Sequence, residues 1–420
     1  MGISIMKKTF IPGRTYIPVS GKVFDKEEIN NAIKVARDGW WTEGEFGKQF
    51  EKDFRNFMGI RYVSLVNSGS SANLVALASL TSNVFKDRAL KSGDEYIAIP
   101  LAFPTTVNPG IQYGLTPVFI DIDVKTFNID IGKIEKAITK KTKLIMVAHT
   151  LGIPYNLTQI TRIAKKYNLW VIEDCCDALG SRWNGKLVGT YGDIATYSFY
   201  PAHQITMGEG GAVITNNPLI HRSIRQFRDW GRDCWCDTGK DNTCRKRFGW
   251  QFGDLPFGYD HKYTYTQIGY NLKLTDFQAA IGVAQLKKLP QFIKKRKENY
   301  AQLRAFFDQY KKYFILPELS EKEDPCWFGF PAIVKENAPF TRNEFTQYLE
   351  ENKIGTRTIF SGNLLRHPAY KHTKYRIAGS VENSDVALNG AFWLGVFPGI
   401  SFEHITYIKK VILGFIVKKI

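Results

Sequence analysis

Short apolar runs alternate with stretches of helical periodicity through the first two thirds of the chain. Val63–Val66, Tyr96–Pro100, Pro117–Asp123, Lys143–His149, Leu169–Asp174 and Asp193–Tyr200 are apolar through most of their length. Strands of that kind are buried on both faces, whereas half-solvated strands alternate polar and apolar residues. Between these runs the pattern turns helical. Asp25-Lys26-Glu27-Glu28 opens a helix that runs through Val35, with Asp25 as its N-cap. Phe50–Phe57 gives a second amphipathic helix and Leu74–Leu80 an apolar third. Buried strands separated by helices predict an α/β fold with a central, mostly parallel sheet covered on both faces.

The rhythm changes further on. Phe277–Leu289 and Lys294–Tyr310 read as helices, Gly329–Val334 as a strand and Arg342–Glu351 as a helix. A last helical segment carries Lys409, Lys410, Lys418 and Lys419. This divides the chain into a large domain, 1–290, and a smaller α+β domain, 291–420. Within the first, residues 228–265 form a Cys-containing insertion rich in turn formers and polar aromatics, with no apolar run of its own. There are no internal repeats.

Composition narrows the class. The chain has 420 residues, 44% hydrophobic and 23% charged, an ordinary globular balance. No apolar run approaches the roughly 18 residues that span a membrane. Met1–Lys8 shows neither a signal-peptide nor a myristoylation pattern, so a cytoplasmic location is expected. The net charge is +17. Lys and Arg are dispersed, with short clusters at Arg245-Lys246-Arg247 and Lys294-Lys295-Arg296-Lys297, and no nucleic-acid motif accompanies them. A solvated basic surface of this kind attracts anionic ligands or an acidic protein partner and does not by itself call for nucleic acid or membrane.

The most informative stretch is Ser198-Phe199-Tyr200-Pro201-Ala202-His203-Gln204-Ile205-Thr206-Met207-Gly208-Glu209-Gly210-Gly211. A strand ends in a Pro turn that presents His203, and a Gly-rich turn follows, able to approach a ligand closely. This stretch resembles the cofactor loop of the vitamin-B6 sugar aminotransferases, which have the aspartate-aminotransferase fold (fold type I). In that family a Lys precedes Gly-Glu-Gly-Gly and forms a Schiff base. Here His203 occupies the position, as in the PMP-dependent 3-dehydrases of deoxysugar synthesis. Imidazole cannot anchor pyridoxal phosphate covalently, so the resemblance implies free pyridoxamine 5'-phosphate (PMP). It also implies that His203 is the residue that moves the proton.

Other positions follow from the same resemblance. Val63–Val66 leads through Asn67-Ser68-Gly69-Ser70-Ser71 into a helix, a strand–turn–helix suited to phosphate. Ser70 and Ser71 match residues that hold the cofactor phosphate, and Phe103 matches the ring stacked on the pyridine. Asp174 matches the carboxylate that pairs with the pyridinium nitrogen and makes the ring a better electron sink. Asp177 and Ser198 join the cofactor-binding set. Asn271 matches an Asn that reaches the partner subunit's cofactor phosphate, which implies a homodimer.

The chain holds six cysteines: Cys175, Cys176, Cys234, Cys236, Cys244 and Cys326. Disulfides are not expected in a cytoplasmic chain. Zinc sites usually leave two or more residues between paired Cys, and Cys234-Trp235-Cys236 has one. The arrangement Cys176, 57 residues, Cys234, one residue, Cys236, seven residues, Cys244 resembles that of the CDP-4-keto-6-deoxyglucose 3-dehydrases. It implies a [2Fe–2S] cluster on these four thiolates, fed by a flavin or iron–sulfur reductase. Tyr259 and His261, in a loop dense in polar aromatics, are candidate sugar or base contacts. Arg366 is a candidate for the diphosphate or else a plain surface arginine.

The resulting expectation is C3 deoxygenation of a nucleotide-linked, CDP by closest resemblance, 4-keto-6-deoxyhexose. Two enzyme alternatives stand beside it: a cluster-free PMP-dependent 3-dehydrase of GDP-sugars, and a sugar aminotransferase. A non-enzymatic basic scaffold is the third.

Overall fold

The apolar runs form strands in the computed structural model, which describes residues 9–419. Met1–Lys8, read above for leader and acylation patterns, lies outside those residues, as does Ile420. In chain order the principal strands are β1 (Tyr62–Val66), β2 (Glu95–Ala98), β3 (Thr116–Phe119), β4 (Thr142–Ala148), β5 (Trp170–Asp174), β6 (Ile194–Ser198) and β7 (Gly211–Thr215). Then come β8 (Phe314–Ile315), β9 (Gly329–Val334), β10 (Thr356–Arg357), β11 (Arg376–Ile377) and β12 (Ala391–Gly395). The principal helices are α1 (Lys26–Asp38), α2 (Glu45–Met58), α3 (Gly69–Ser79), α4 (Pro104–Gln112), α5 (Leu157–Tyr167) and α6 (Pro218–Arg228). They are followed by α7 (Asp276–Phe307), α8 (Arg342–Glu351), α9 (Glu382–Gly390) and α10 (Phe402–Lys419).

The large sheet runs β1-β7-β6-β5-β4-β2-β3-β11. From β6 through β11 every pairing is parallel. β7 alone runs against both neighbours, so the sheet is mixed. β2, β3, β5, β6 and β7 are buried at every residue, as strands covered on both faces must be. The small sheet, β8-β9-β12-β10, is antiparallel.

Two features differ from the sequence reading. The helices expected over Phe277–Leu289 and Lys294–Tyr310 are one, α7, with Pro290 inside it. Proline removes one backbone bond there, but packing of the helix on α1 and α2 holds it continuous. The boundary expected at 290 therefore falls within a helix. The C-terminal segment also returns to the large sheet: β11 extends its edge beside β3, and Arg376 donates to Glu95 at 3.0 and 2.8 Å.

The helix starts explain the local order. Asp25 and Glu28 form a reciprocal capping box on α1. α2 begins at Gly44, which has no side chain to cap it. Asp276, from the first turn of α7, accepts instead from the amides of Gly44 (3.1 Å), Phe46 (3.2 Å) and Gly47 (2.8 Å). A Cβ at residue 44 would stand 2.8 Å from that carboxylate, so only glycine fits. α2 then buries Phe50 and Phe54 against Tyr197 and Phe199, which fixes the strand that leads to His203.

Candidate active site

The C-terminal ends of the parallel strands and the N-termini of the helices that follow converge at one edge of the sheet, where α/β folds bind ligands. β1 runs into α3, β2 into α4, and β5 ends on Asp174. The Asp174 carboxylate is buried and fully engaged. Oδ2 accepts from Asn73 Nδ2 at 2.9 Å and from Thr106 Oγ1 at 2.7 Å, and Oδ1 accepts from the Cys176 amide at 3.1 Å. Thr196 Oγ1 in turn holds Asn73 Oδ1 at 2.6 Å. Four elements thus set one carboxylate in place.

At the start of α3, Ser68 is the N-cap; its hydroxyl accepts from the Ser71 amide and donates to Ser71 Oγ, both at 3.0 Å. Ser70 stands exposed beside it, so amides and hydroxyls face outward at the positive end of a helix. A Cβ on Gly69 would lie 2.4 Å from Ser198 Cβ and 3.1 Å from Cys176 Sγ, so the glycine is what lets the helix start approach β6. Phe103, the N-cap residue of α4, leaves half its surface, 51%, exposed. A large aromatic face at the end of a buried strand is available for stacking.

His203 follows β6 in the turn that opens at Tyr200. Its carbonyl accepts from Arg296 Nη2 at 2.9 Å, and Arg296 is itself buried and bound to the carbonyls of Trp327 and Phe328 at 3.1 Å. The imidazole packs at 5.2 Å, ring centre to ring centre, from Phe328. Its Nδ1 lies 3.4 Å from Asp177 Oδ1, and neither His203 Nδ1 nor Asp177 Oδ2 has a hydrogen-bond partner. Burial pushes the Asp177 carboxyl up, and the imidazole works against that rise. Buried polar atoms left open in this way mark a site that something else completes.

These residues fit PMP. Ser70 and Ser71 suit its phosphate, Phe103 one face of its ring, Asp174 its ring nitrogen, and His203 with Asp177 its reactive side. Asn73, Thr106 and Arg296 support the set and were not singled out from the sequence. Asn73 had a signal, a lone amide entering an apolar helix; Thr106 and Arg296 had none.

The remaining expected residues lie elsewhere. Asn271 is exposed at the edge of the large sheet, where its Oδ1 accepts from Lys273 Nζ at 2.8 Å. Arg366 is exposed and pairs in bidentate fashion with Asp385, at 2.9 and 2.5 Å. Tyr259 is exposed in its loop. His261, expected at the sugar, is instead fully buried: Nε2 lies 2.9 Å from Asp233 and Nδ1 3.6 Å from Cys244 Sγ.

The cysteines divide. Among the described residues Cys234, Cys236 and Cys244 bring their Sγ atoms within 4.8 Å of one another, and Cys176 is not in that group. Cys176 sits at the sheet edge beside Gly69 and Asp174, where burial pushes its thiol up. Among the described residues the four thiols expected from sequence are thus not all within 4.8 Å of one another. Burial raises the Cys234 thiol to about 11. Burial also works against ionisation of Cys236, yet bonds from Thr243 and from the Cys244 amide bring that thiol down to about 7.

The chain is 52% identical over 405 residues to the lipopolysaccharide biosynthesis protein RfbH of Salmonella typhimurium, covering 96% of this chain and 93% of that protein. It is 46% identical over 410 residues to the dTDP-4-dehydro-2,6-dideoxy-D-glucose 3-dehydratase of Saccharopolyspora spinosa, covering 98% and 88%. The solved structure of the E. coli GDP-4-keto-6-deoxy-D-mannose-3-dehydratase with bound hydrated PLP superposes with a TM-score of 0.85 at 30% identity, covering 95% of this chain and all of that one. That match confirms the fold type I architecture of the large sheet. Residues 22–413 match one family throughout, and the chain belongs to it: the DegT/DnrJ/EryC1/StrS aminotransferase family.

Proposed function

We propose that this chain removes the C3 hydroxyl of a nucleotide-linked 4-keto-6-deoxyhexose, with PMP as coenzyme and His203 as the group that moves the proton. The observation that carries the reading is an imidazole at position 203, its Nδ1 unpartnered and facing the buried Asp177. An amine there would anchor the coenzyme and favour amino transfer; an imidazole leaves it free.

When bound, the coenzyme supplies an amine that condenses with the 4-keto carbon and a ring that accepts electrons. The chain does the rest. The α3 N-terminus, with Ser70 and Ser71, holds the phosphate through amides, hydroxyls and the helix dipole. Asp174, fixed by Asn73 and Thr106, keeps the ring nitrogen protonated. Phe103 covers one face of the ring. With the coenzyme bound, His203 would take a proton at its methylene carbon and deliver one to the C3 hydroxyl, which would leave as water. Asp177 Oδ1, 3.4 Å from Nδ1, orients the imidazole. Asn271, supplied by a second copy of the chain, belongs to this proposal, and so does a place in polysaccharide precursor synthesis.

The nucleotide is read by class. The relatives' names carry dTDP and GDP, which supports the alternative in which no cluster takes part. The other form, a CDP-sugar reduced through a [2Fe–2S] cluster by a separate reductase, has only the cysteine spacing behind it. Assay of CDP-, dTDP- and GDP-linked 4-keto sugars with PMP, with and without a reductase, separates the two: product formed without the reductase supports the first.

The central test is His203→Asn. Exchange of solvent deuterium into the coenzyme's methylene carbon should fall by about 10²–10⁴-fold, the contribution of a positioned acid–base group. Exchange at the wild-type rate would overturn the assignment.

A further inference from the structure

The turn that carries His203 is strapped down by a distant, buried segment, Cys326–Phe328, which leads into β9 of the small sheet. Three bonds seat this strap on the loops that follow β4 and β5. The Cys326 amide donates to Ser181 Oγ at 2.8 Å, Ser181 Oγ donates to the Gly152 carbonyl at 2.7 Å, and the Phe328 amide donates to the Leu151 carbonyl at 3.0 Å. Gly152 has φ +87°, and a Cβ there would lie 2.6 Å from the Cys326 carbonyl oxygen and 2.9 Å from that of Asp177. Only glycine lets these backbones approach so closely. Trp327 stacks on Tyr300 of α7 at 3.5 Å, and Phe328 stands between the His203 imidazole and Trp393, 5.2 Å from each.

Two buried side chains join the strap to the facing pair of His203 and Asp177. Gln204, the residue after His203, donates from Nε2 to the Asp177 carbonyl and, at 3.1 Å, to the Cys326 carbonyl 122 positions away. Arg296 donates to the His203 carbonyl at 2.9 Å and to the carbonyls of Trp327 and Phe328, each at 3.1 Å. A buried guanidinium is ordinarily held by a carboxylate. Among the described residues, the hydrogen-bond partners of Arg296 are carbonyls alone, and they belong to the two segments that meet here.

We infer that Gln204 and Arg296 are positioning residues, which fix the separation and mutual aim of His203 and Asp177 through the Cys326–Phe328 strap. The inference rests on the role proposed above for His203. Asp177 follows β5 and His203 follows β6, and the ladder between these strands ends at the pair Thr196 and Asp174. Both residues lie beyond it, so the sheet does not set the 3.4 Å between His203 Nδ1 and Asp177 Oδ1. Gln204 ties one turn to the main chain of the other, and Arg296 stops the His203 carbonyl from rotating. The residue types suit the task. A primary amide offers two N–H groups on one nitrogen, and the planar guanidinium fork reaches several carbonyls at once. A lysine ammonium carries the same charge without that fork.

The test compares the full chain with Gln204→Met and Arg296→Lys. With PMP bound, each variant should slow exchange of solvent deuterium into the coenzyme's methylene carbon by about 10–100-fold, the cost of a misplaced reacting group. The PMP dissociation constant should stay near the wild-type value. On the coenzyme-free chain, diethyl pyrocarbonate should modify His203 several-fold faster in both variants, read site by site by mass spectrometry. Arg376→Met is the control. It removes a guanidinium that binds Glu95 and the Ala137 carbonyl at the far edge of the large sheet, and should lower the unfolding midpoint while changing neither readout. Should Gln204→Met fail to fold, Arg296→Lys, which keeps the buried charge, still decides. Exchange at the wild-type rate in Arg296→Lys would overturn the inference, as would His203 modification no faster than in the wild type. Equal changes in Arg376→Met would also overturn it, by tracing them to lost stability. If the wild-type chain binds PMP and exchanges no deuterium, the role proposed for His203 falls, and the modification rates alone decide whether the strap holds the imidazole.

Discussion

The sheet edge around Asp174 and the loop around His261 both collect chemically potent side chains, and they are built in opposite ways. At the sheet edge each residue is delivered by regular structure: Asp174 by the end of β5, Asn73 by α3, Thr106 by α4, Thr196 by β6. Backbone ladders and buried apolar faces fix these positions before any ligand arrives. In the loop, side chains hold side chains. Asp233 grips His261, the rings of Trp250 and Phe252 cover it, and Lys246 Nζ lies 3.7 Å above Trp250. The first region is preorganised by the fold, whereas the second is organised by its own polar and aromatic contacts. Removing one group should therefore cost stability at the edge and local order in the loop.

Asp174→Ala breaks the edge most severely. It leaves Asn73 Nδ2, Thr106 Oγ1 and the Cys176 amide without an acceptor in a buried place. The expected loss is about 1–3 kcal/mol of unfolding free energy, with coenzyme binding weakened as well. Chemical denaturation of the two proteins measures the first; an unchanged midpoint would mean the carboxylate is held more loosely than the distances say. Trp250→Ala should act differently. It uncovers His261 and should speed proteolytic cleavage between residues 236 and 260 several-fold, with little shift of the global unfolding midpoint. Limited proteolysis read by mass spectrometry checks this, and a large drop in the midpoint would erase the contrast between the regions.

The smallest effect lies where the two regions meet. Glu51 accepts from the Leu65 amide at 3.2 Å near Arg228, the last residue of α6 before the loop departs. Burial raises its carboxyl to about 7 from an ordinary 4.5, against the pull of Arg228. The folded chain then favours the protonated form. Its contribution to stability is complete below about pH 4.5 and is lost as the pH rises toward about 7. Glu51→Gln keeps a neutral acceptor and should flatten that part of the stability curve. Thermal unfolding followed across pH 4–8 reads the difference in slope between the two proteins.

Legibility followed the same division. The strands of the large sheet could be read because a strand buried on both faces is apolar throughout, and Leu169–Asp174 and Asp193–Tyr200 are. The antiparallel run of β7 could not, because burial leaves the same composition in either direction. The unity of α7 was hidden by Pro290, a local breaker overruled by the helices packed along it. Ser70, Ser71, Phe103, Asp174 and His203 stood out through their resemblance to a family pattern, at strand ends and helix starts. Arg296 did not, for its contact with the His203 carbonyl spans 93 positions of chain. His261 read as a polar loop residue, since nothing local announces that a histidine will be buried.

By itself the amino-acid order determined the layered sheet, the anion-ready start of α3 and the imidazole at 203, because each follows from neighbours within a few positions. Only the tertiary structure decided that Cys176 stands at the sheet edge while Cys234, Cys236 and Cys244 gather with one another in the 228–265 insertion. Spacing along the chain limits how far apart residues lie, but long loops close at little entropic cost. Which partners meet is then settled by burial and hydrogen bonding across the fold.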